Sequence, residues 1–268
     1  MKSILILGGS GFIGNALYKE LGPYFNTFGT FNNNLEFRDN KHFFQYDIEK
    51  GGLNDILNEV KPKLIISALR GRFNAQLDSH SCIIEYVKFN NCRVMFLSSA
   101  NVFDSFRHYP SYEYDKTLSE SIYGHFKIKI ENQLMNLPIG KFIIIRLPMI
   151  FGINAPRTRD IDKAIIENKA IEVFPNTIIN VNSDVRLSQQ IHYIINHKKT
   201  GIFHLGSIDL ISHFDFIKTL VEKRHSKIGK YKQVFSTNNI RYLATLPKEN
   251  KLPQYIQPSY NDILDELS

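Results

Sequence analysis

The feature that most constrains this chain is a glycine-rich turn between a predicted strand at residues 2–7 and a predicted helix at residues 12–21. The turn reads Gly8-Gly9-Ser10-Gly11-Phe12-Ile13-Gly14. Gly8 permits a tight turn, Gly11 lets the backbone approach a pyrophosphate, and Gly14 lets the helix pack closely on the strand. The helix N-terminus adds unpaired N–H groups and about half a positive charge. The sequence therefore predicts a dinucleotide site with the contacts Gly8, Ser10, Gly11, Phe12, Ile13 and Gly14.

The rest of the first 150 residues alternates between short apolar runs and segments of helical periodicity. Further strands are predicted at residues 27–31, 43–46, 64–67, 94–97 and 142–145, and further helices at residues 53–60, 77–89 and 119–137. This alternation implies right-handed βαβ units and a parallel sheet buried on both faces. We therefore predict the α/β class, with a Rossmann-type doubly wound sheet.

The pattern loosens after Gly152. Helices are predicted there at residues 160–167, 187–197 and 213–224, separated by loops that contain Asn, Pro and Gly. We predict a dinucleotide-binding domain at residues 1–152 and, at residues 153–268, a small irregular substrate lobe that returns to the sheet at residues 201–205.

Composition excludes several classes of protein. The chain has 268 residues, of which 43% are hydrophobic and 22% charged, so its length and composition favour a globular fold with a sizeable core. Two cysteines cannot form a disulfide framework, and no apolar run has the length of a signal peptide or membrane span. A cytoplasmic location without membrane association is therefore expected. The net charge of +7 comes without regular aromatic interleaving, so no nucleic-acid binding is expected, and no histidine spacing predicts a metal site.

The residues after the second predicted strand bear on cofactor choice. An acidic residue at that point would bond the ribose 2′-hydroxyl of NAD and repel the 2′-phosphate of NADP. The chain has Asn32, Asn33 and Asn34 there, and its first carboxylate is Glu36. The sequence favours NADP(H), with Asn32 as a contact, and leaves NAD(H) open.

A candidate catalytic pair stands four residues apart on a predicted helix. Tyr123 and Lys127 share one face at this spacing. A lysine ammonium about 4 Å away is worth roughly 4 kcal/mol at an effective dielectric constant of 20, enough to lower a tyrosine pKa by up to ~3 units. Such a phenol suits general acid–base work on a carbonyl or an alcohol. Ser99 follows a predicted strand, where a doubly wound sheet binds ligands, and its hydroxyl is predicted to hold the substrate oxygen.

These motifs together resemble the extended branch of the short-chain dehydrogenase/reductase superfamily, over residues 1–152. Other matching positions are Asp47 and Ile48, Ala68, Glu131, and the segment Arg146-Leu147-Pro148-Met149-Ile150-Phe151-Gly152. The resemblance implies that Asp47 and Ile48 contact the adenine, and that Ala68 and Pro148 lie beside the cofactor. It further implies that Tyr123 is the general acid/base and also contacts the cofactor. Lys127 would bind the nicotinamide ribose and lower the Tyr123 pKa, and Ser99 would bond the substrate carbonyl.

Within this branch, Val102-Phe103-Asp104 is similar to a segment of the dTDP-4-dehydrorhamnose reductases. The resemblance implies reduction of a nucleotide-linked 4-keto-6-deoxy sugar, a place in polysaccharide biosynthesis, and a homodimer formed through the Tyr123 helix. The chain departs from that family at Ala100 and Asn101. Sugar dehydratases normally have an Asp-Glu pair at these two positions, so dehydration is not expected. A nucleotide-sugar epimerase and a non-catalytic regulatory subunit remain alternatives. Candidates for holding the substrate diphosphate, among which the sequence does not choose, are Arg157, Arg159, Arg186, Arg70 and Arg72.

Overall fold

The computed structural model describes residues 2–105, 108–226, 228–235 and 237–268. The chain divides into two compact units, each built from three segments. The first unit comprises Met1–Ser98, Phe126–Ile145 and Ile191–Ile202, and the second comprises Ser99–His125, Arg146–Gln190 and Phe203–Ser268. The domain boundary expected at residue 152 stays a prediction. The two predicted domains also contain residues 1, 106, 107, 227 and 236, which lie outside the described residues.

Strands and helices alternate along the chain. The strands are β1 (Ser3–Leu7), β2 (Asn26–Phe31), β3 (Phe43–Gln45), β4 (Leu64–Ser67), β5 (Arg93–Ser99), β6 (Phe142–Leu147), β7 (Met149–Phe151), β8 (Ile171–Val173), β9 (Thr177–Ile179), β10 (Val181–Ser183), β11 (Gly201–His204), β12 (Ile211–Ser212), β13 (Tyr231–Gln233) and β14 (Arg241–Leu243). The α-helices are α1 (Phe12–Leu21), α2 (Leu53–Val60), α3 (Phe73–Phe89), α4 (Ile122–Met135), α5 (Pro156–Ile166), α6 (Asp184–Asn196), α7 (His213–His225) and α8 (Tyr260–Leu267). Short 3-10 helices lie at Leu35–Phe37, Ala100–Phe103 and Gln254–Ile256.

Seven of the described strands form one sheet in the order β11-β6-β5-β4-β1-β2-β3. The pairs β1–β2, β1–β4, β2–β3 and β4–β5 are all parallel. The order of β1 to β6 is that of a doubly wound dinucleotide-binding sheet, whose strand order reverses beside β1. The predicted α/β class with a Rossmann-type parallel sheet is therefore confirmed.

The core of the first unit follows from the alternation of side chains along its strands. Leu5 and Leu7 of β1 belong to a buried cluster that also contains apolar residues of α2, α3 and α4. Ile4 and Ile6 point to the opposite face and are equally buried. Each such side chain contributes about 1.5–3 kcal/mol by leaving water, which explains why β1 is a continuous apolar run.

The second unit contains more regular structure than its sequence predicts. In it β7 pairs with β10, β8 with β13, and β9 with both β12 and β14. Phe151, Phe216 and Leu264 belong to a shared buried core cluster that includes residues of α7 and α8. Helix α8, which the sequence analysis did not predict, begins with a capping box between Ser259 and Asp262.

Two helix starts differ from the sequence prediction. Helix α3 begins four residues early, at Phe73, whose ring stacks on Phe126 with centroids 4.5 Å apart. Helix α4 begins late, at Ile122, because the hydroxyls of Ser119 and Ser121 form the turn that precedes it. No helix in the described ranges is long and apolar enough to cross a membrane.

Candidate active site

The glycine turn of the first unit is fixed by its own backbone and by β2. The Gly8 N–H donates to Thr30 Oγ1 over 2.8 Å, and the Ser10 N–H donates to the Thr30 carbonyl over 3.1 Å. Gly8 has φ +81°, and a Cβ there would lie 2.7 Å from the Ala68 carbonyl oxygen. A Cβ on Gly14 would overlap the Gly8 carbonyl. Both positions therefore require glycine, and Ala68, a predicted contact, lies against the turn.

The start of α1 fits a pyrophosphate. Gly11 is the N-cap residue, it is exposed, and it makes no side-chain capping bond. The first turn, which contains Phe12 and Ile13, has no acidic residue. Its N–H groups and the positive end of the helix dipole are thus offered to an anion. These features agree with the predicted contacts at residues 8 and 10–14, whose roles stay predictions.

The segment after β2 presents amides to solvent. Asn32 and Asn33 are exposed, while the Asn34 side chain accepts from the Glu36 N–H and caps the following 3-10 helix. Of the three asparagines, Asn34 is therefore engaged locally. An exposed Asn32 amide can donate to a phosphate as well as to a hydroxyl.

Asp47 and Ile48 follow β3 in the first unit. The Asp47 carboxylate accepts from the Glu49 N–H over 3.0 Å. Ile48 and Glu49 line a cavity of about 940 Å³, together with residues of the loop that precedes α3 and of the first turns of that helix. The cavity residues from that region are Gly71, Arg72, Phe73, Asn74, Ala75 and Asp78. Asn74 and Ile48 thus line the same cavity.

Lys127 is far more buried than its sequence context suggests, with 6% of its surface exposed. Its Nζ donates to the Leu97 carbonyl over 2.9 Å and lies 4.5 Å from the centre of the Phe96 ring. Burial lowers the Lys127 pKa to about 8; Glu131 opposes the shift and Arg70 adds to it. The ammonium is therefore charged at neutral pH and loses its proton in mildly alkaline solution.

Glu131 lies one turn after Lys127 and is completely buried. Its carboxylate accepts a hydrogen bond from the Ser98 hydroxyl. A buried carboxylate close to a buried ammonium compensates part of the cost of removing both charges from water. Ser98, Lys127 and Glu131 belong to the first unit and tie α4 to the end of β5.

Ser99 begins the second unit and caps the 3-10 helix that follows β5. Its hydroxyl donates to Asn101 Oδ1 over 3.0 Å and accepts from the Asn101 N–H over 3.2 Å. The donated bond can be redirected to another acceptor without breaking the cap. Tyr123, in the first turn of α4, is 41% exposed. The acid/base role of Tyr123 and the hydrogen bond from Ser99 to the substrate oxygen both stay predictions.

Asp104 holds the start of α4, a function that sequence reasoning missed. Its buried carboxylate accepts from the Glu120 N–H over 2.7 Å and from the Ser121 hydroxyl over 2.6 Å. Burial raises the Asp104 pKa, but hydrogen bonds from Ser121, Glu120 and other donors outweigh burial and hold it below the usual value. A Cβ on Gly124 would overlap the Asn101 carbonyl oxygen. The turn that contains Ser99 therefore lies directly against the helix that contains Tyr123.

We expect the substitution Asp104→Asn to lower both stability and turnover. The amide offers one acceptor oxygen in place of two, so either the Glu120 N–H or the Ser121 hydroxyl loses its partner. Loss of a buried hydrogen bond costs about 1–3 kcal/mol in free energy of unfolding. Turnover should fall about 10-fold because the Tyr123 helix start is displaced. Urea unfolding and steady-state kinetics measure the two effects. Asp160→Asn, on an exposed position of α5, is the control, and equal behaviour of the two variants would contradict this role.

Arg146 of the predicted Arg146–Gly152 match is buried within the second unit. Its Nη1 donates to the Glu113 carbonyl over 2.8 Å, and its guanidinium lies 4.8 Å from the Phe103 ring centre. Burial, aided by Arg146, lowers the His204 pKa to about 4, so this histidine is neutral. Pro148 is also buried. Arg186 is one of the arginines predicted as candidates for holding the substrate diphosphate. It forms an ion pair with Glu266, so its guanidinium is already engaged.

The fold is similar to the folds of several proteins of known structure. dTDP-4-dehydrorhamnose reductase from Yersinia enterocolitica has a TM-score of 0.79 at 21% identity, over 100% of this chain and 99% of that chain. The same enzyme from Bacillus anthracis str. Ames, in complex with NADP, has a TM-score of 0.77 at 17% identity, over 100% and 99%. UDP-glucuronic acid 4-epimerase from Bacillus cereus, in complex with NAD, has a TM-score of 0.72 at 16% identity, over 99% of both chains. At these identities the likeness is one of fold.

A comparison with curated proteins gave no match. The sequence profile of the RmlD substrate binding domain matches residues 1–255, which is most of the chain. The resemblance drawn from the glycine turn, Tyr123 and Lys127 is thus confirmed for family and fold, and the chain belongs to the RmlD substrate binding domain family.

Proposed function

We propose that the protein is an NAD(P)H-dependent oxidoreductase that reduces the C4 ketone of a nucleotide-linked 4-keto-6-deoxy sugar. The observation that carries the proposal is the buried, charged Lys127 on the same helix as the exposed Tyr123, in a chain whose first helix start fits a pyrophosphate. This class of substrate is supported by the family to which the chain belongs and by the similarity of its fold to dTDP-4-dehydrorhamnose reductases.

The proposed cofactor is a nicotinamide dinucleotide, which when bound would supply a hydride. Its pyrophosphate would be held at the glycine turn and the start of α1. The adenine side would be held by Asp47, Ile48 and Ala68, and the nicotinamide side by Lys127 and Pro148. These assignments rest on the family resemblance together with the fit of the first turn of α1 to an anion.

The chain's own residues would move the proton and hold the substrate oxygen. The Tyr123 phenol would donate its proton to the C4 oxygen as a general acid. The charge on Lys127 would lower the Tyr123 pKa toward the operating pH. The Ser99 hydroxyl would turn from Asn101 Oδ1 to the C4 oxygen while still accepting from the Asn101 N–H. Asp104 would act through the helix start, as a positioning residue.

We propose NADP(H) as the preferred cofactor, with NAD(H) accepted more weakly. The exposed Asn32 amide after β2 supports this preference. The substitution Asn32→Asp would place a carboxylate there, which repels a 2′-phosphate and accepts from a 2′-hydroxyl. We expect NADPH affinity to fall about 10- to 100-fold, the value of one or two charge-assisted bonds, and NADH affinity to hold or rise. Calorimetric titration with each cofactor measures both. Asn33→Asp is the control. An unchanged ratio of NADPH affinity to NADH affinity in Asn32→Asp would contradict the role of Asn32 in cofactor choice.

The proposed reaction is tested with purified protein, NADPH, NADH and a panel of nucleotide 4-keto-6-deoxy sugars. Oxidation of the reduced nicotinamide in step with loss of the ketone supports the reductase. Interconversion of two sugar epimers with no net oxidation would support the epimerase instead. Cofactor binding with neither reaction would favour a regulatory subunit. Failure to bind either cofactor would overturn the whole proposal. Homodimer formation through α4, a role in polysaccharide biosynthesis and a cytoplasmic location stay predictions.

A further inference from the structure

Helix α3 of the first unit has a buried face that changes character along its length. In the second half of the helix the buried residues are apolar: Ile83, Ile84 and Val87. In the first half they are polar and no more than 4% exposed: Gln76, Ser79 and His80. A polar side chain in a core costs free energy unless it is hydrogen bonded, and apolar residues of similar size would pack at least as well. The polar half of α3 therefore has a role beyond packing.

His80 holds the end of strand β4. Its Nδ1 lies 2.6 Å from the Gln76 carbonyl oxygen, which can only accept, so Nδ1 carries the proton. Burial lowers the His80 pKa to about 4, so the ring is neutral and Nε2 accepts from the Ser67 hydroxyl over 2.9 Å. Ser67 is the last residue of β4, and the next residue, Ala68, lies against the glycine turn. His80 thus fixes the strand end that leads to a predicted cofactor contact.

Ser79 holds the end of strand β3 in the same way. Its hydroxyl donates to the Ala75 carbonyl over 2.8 Å, so it accepts from the Tyr46 hydroxyl, which is also 2.8 Å away. Burial raises the Tyr46 pKa, and the phenol keeps the proton that it donates. Tyr46 follows β3 directly and is followed by Asp47 and Ile48. Ser79 thus fixes the chain just before two predicted adenine contacts.

Gln76 holds the loop between β4 and α3. Its side-chain amide donates to the Gly71 carbonyl over 2.7 Å. Gly71 has φ +132°, and a Cβ there would lie 2.6 Å from Ile48 Cδ1, so the loop packs directly on Ile48. Gly71 and Ile48 both line the cavity of about 940 Å³ described above. The polar half of α3 therefore holds both walls of this cavity, one through Gly71 and the other through Tyr46.

We infer that Gln76, Ser79 and His80 are positioning residues for the adenosine half of the cofactor. They set the separation of the two cavity walls without touching the ligand themselves. Walls that are already ordered raise affinity, because binding then does not bear the cost of ordering them. The inference rests on the proposed function for the presence of a dinucleotide. Binding of an adenosine fragment needs neither a sugar nor hydride transfer, so the two can fail separately.

The first test is calorimetric titration of the full chain with NADPH and with adenosine 2′,5′-bisphosphate, a probe of the adenosine half. We expect Ser79→Ala to weaken both about 5- to 10-fold, the value of one buried hydrogen bond, because Tyr46 loses its acceptor. The matched control is Ser81→Ala. The Ser81 hydroxyl also donates to a carbonyl four residues earlier, that of Leu77, but it lies on the exposed face of α3. Equal affinities in the two variants would overturn the inference.

The variant Tyr46→Phe removes the other partner of the same hydrogen bond. Tyr46→Phe with Ser79→Ala should therefore weaken the fragment no more than the more damaging single substitution does. Multiplication of the two single effects would mean that the residues act independently and would contradict the pairing. In all three variants we expect KM for NADPH to rise while kcat at saturating NADPH stays within about twofold of the wild type. A fall in kcat with an unchanged KM would place these residues in the chemical step instead.

The variants His80→Leu and His80→Gln test the contact with β4. Glutamine can still accept from the Ser67 hydroxyl and leucine cannot, so leucine should weaken the fragment about 5- to 10-fold and glutamine should restore most of the affinity. His197→Leu, at an exposed histidine of the same unit, is the control. Equal losses in the two His80 variants would remove His80 from the set. If His80→Leu does not fold, the comparison of Ser79→Ala with Ser81→Ala decides the inference. These affinity changes without NADPH oxidation on any sugar would sink the reductase and leave the inference standing.

Discussion

Replacement of Tyr123 by phenylalanine is expected to lower turnover by about 10²–10⁴, the usual contribution of a positioned general acid. The substitution removes one hydroxyl from an exposed side chain in the first turn of α4 and leaves the ring in place. Cofactor affinity should change little, because the predicted pyrophosphate contacts lie at the start of α1. Single-turnover measurement of NADPH oxidation, together with NADPH titration, separates the chemical step from binding.

The control for this variant is Tyr114→Phe, which removes a hydroxyl from another exposed tyrosine of the second unit. Tyr114 is 69% exposed and has no predicted role in the reaction. Turnover of Tyr123→Phe close to that of Tyr114→Phe would remove Tyr123 from the reaction. Loss of NADPH binding in Tyr123→Phe would instead mean that the tyrosine serves the cofactor.

The sequence predicted those parts of the fold that depend on local pattern. The glycine turn lies between an apolar run and an amphipathic helix, and the structure has β1, the turn and α1 at these positions. Buried parallel strands such as β1 and β4 are apolar at every position except one serine, so their signal is strong. Tyr123 and Lys127 are in one helix, as their spacing predicted.

The features that the sequence did not predict depend on contacts between distant residues. Lys127 is buried against Leu97 and Phe96, near the end of β5, which lie thirty and thirty-one positions earlier in the chain. No local pattern reports this burial. Asp104 was noticed only as part of a family segment, because the Glu120 N–H from which it accepts lies sixteen positions later in the chain. The strands of the second unit have two or three residues each, too few for a period to be visible.

The substitution Lys127→Met is expected to lower turnover by about 10²–10³. The charge of a lysine near a phenol is worth roughly 4 kcal/mol at an effective dielectric constant of 20, and about 1.36 kcal/mol corresponds to each factor of ten in rate. Methionine fills a similar volume without the ammonium. The substitution also leaves the buried Glu131 carboxylate without its neighbouring positive charge, which costs about 3–5 kcal/mol in free energy of unfolding.

The double variant Lys127→Met with Glu131→Gln separates these two effects. A glutamine can still accept from the Ser98 hydroxyl, so the buried site is neutral and hydrogen bonded. We expect this variant to recover most of the stability and none of the turnover. Recovery of turnover would show that Lys127 serves only the packing of α4 on β5.

The pH dependence of stability tests the Lys127 ammonium without reference to catalysis. Its pKa in the folded chain is about 8, against 10.5 for a free lysine side chain, so between these values the unfolded chain binds more protons. The free energy of unfolding of the wild-type chain should therefore rise relative to the double variant, by up to about 1.4 kcal/mol per pH unit in that window. Below pH 8 both states are protonated and the difference should be constant. Urea unfolding at a series of pH values measures it. A flat difference through pH 8 to 10 would mean that Lys127 is hydrated like a surface lysine, and the electrostatic argument for a shifted Tyr123 pKa would lose its basis.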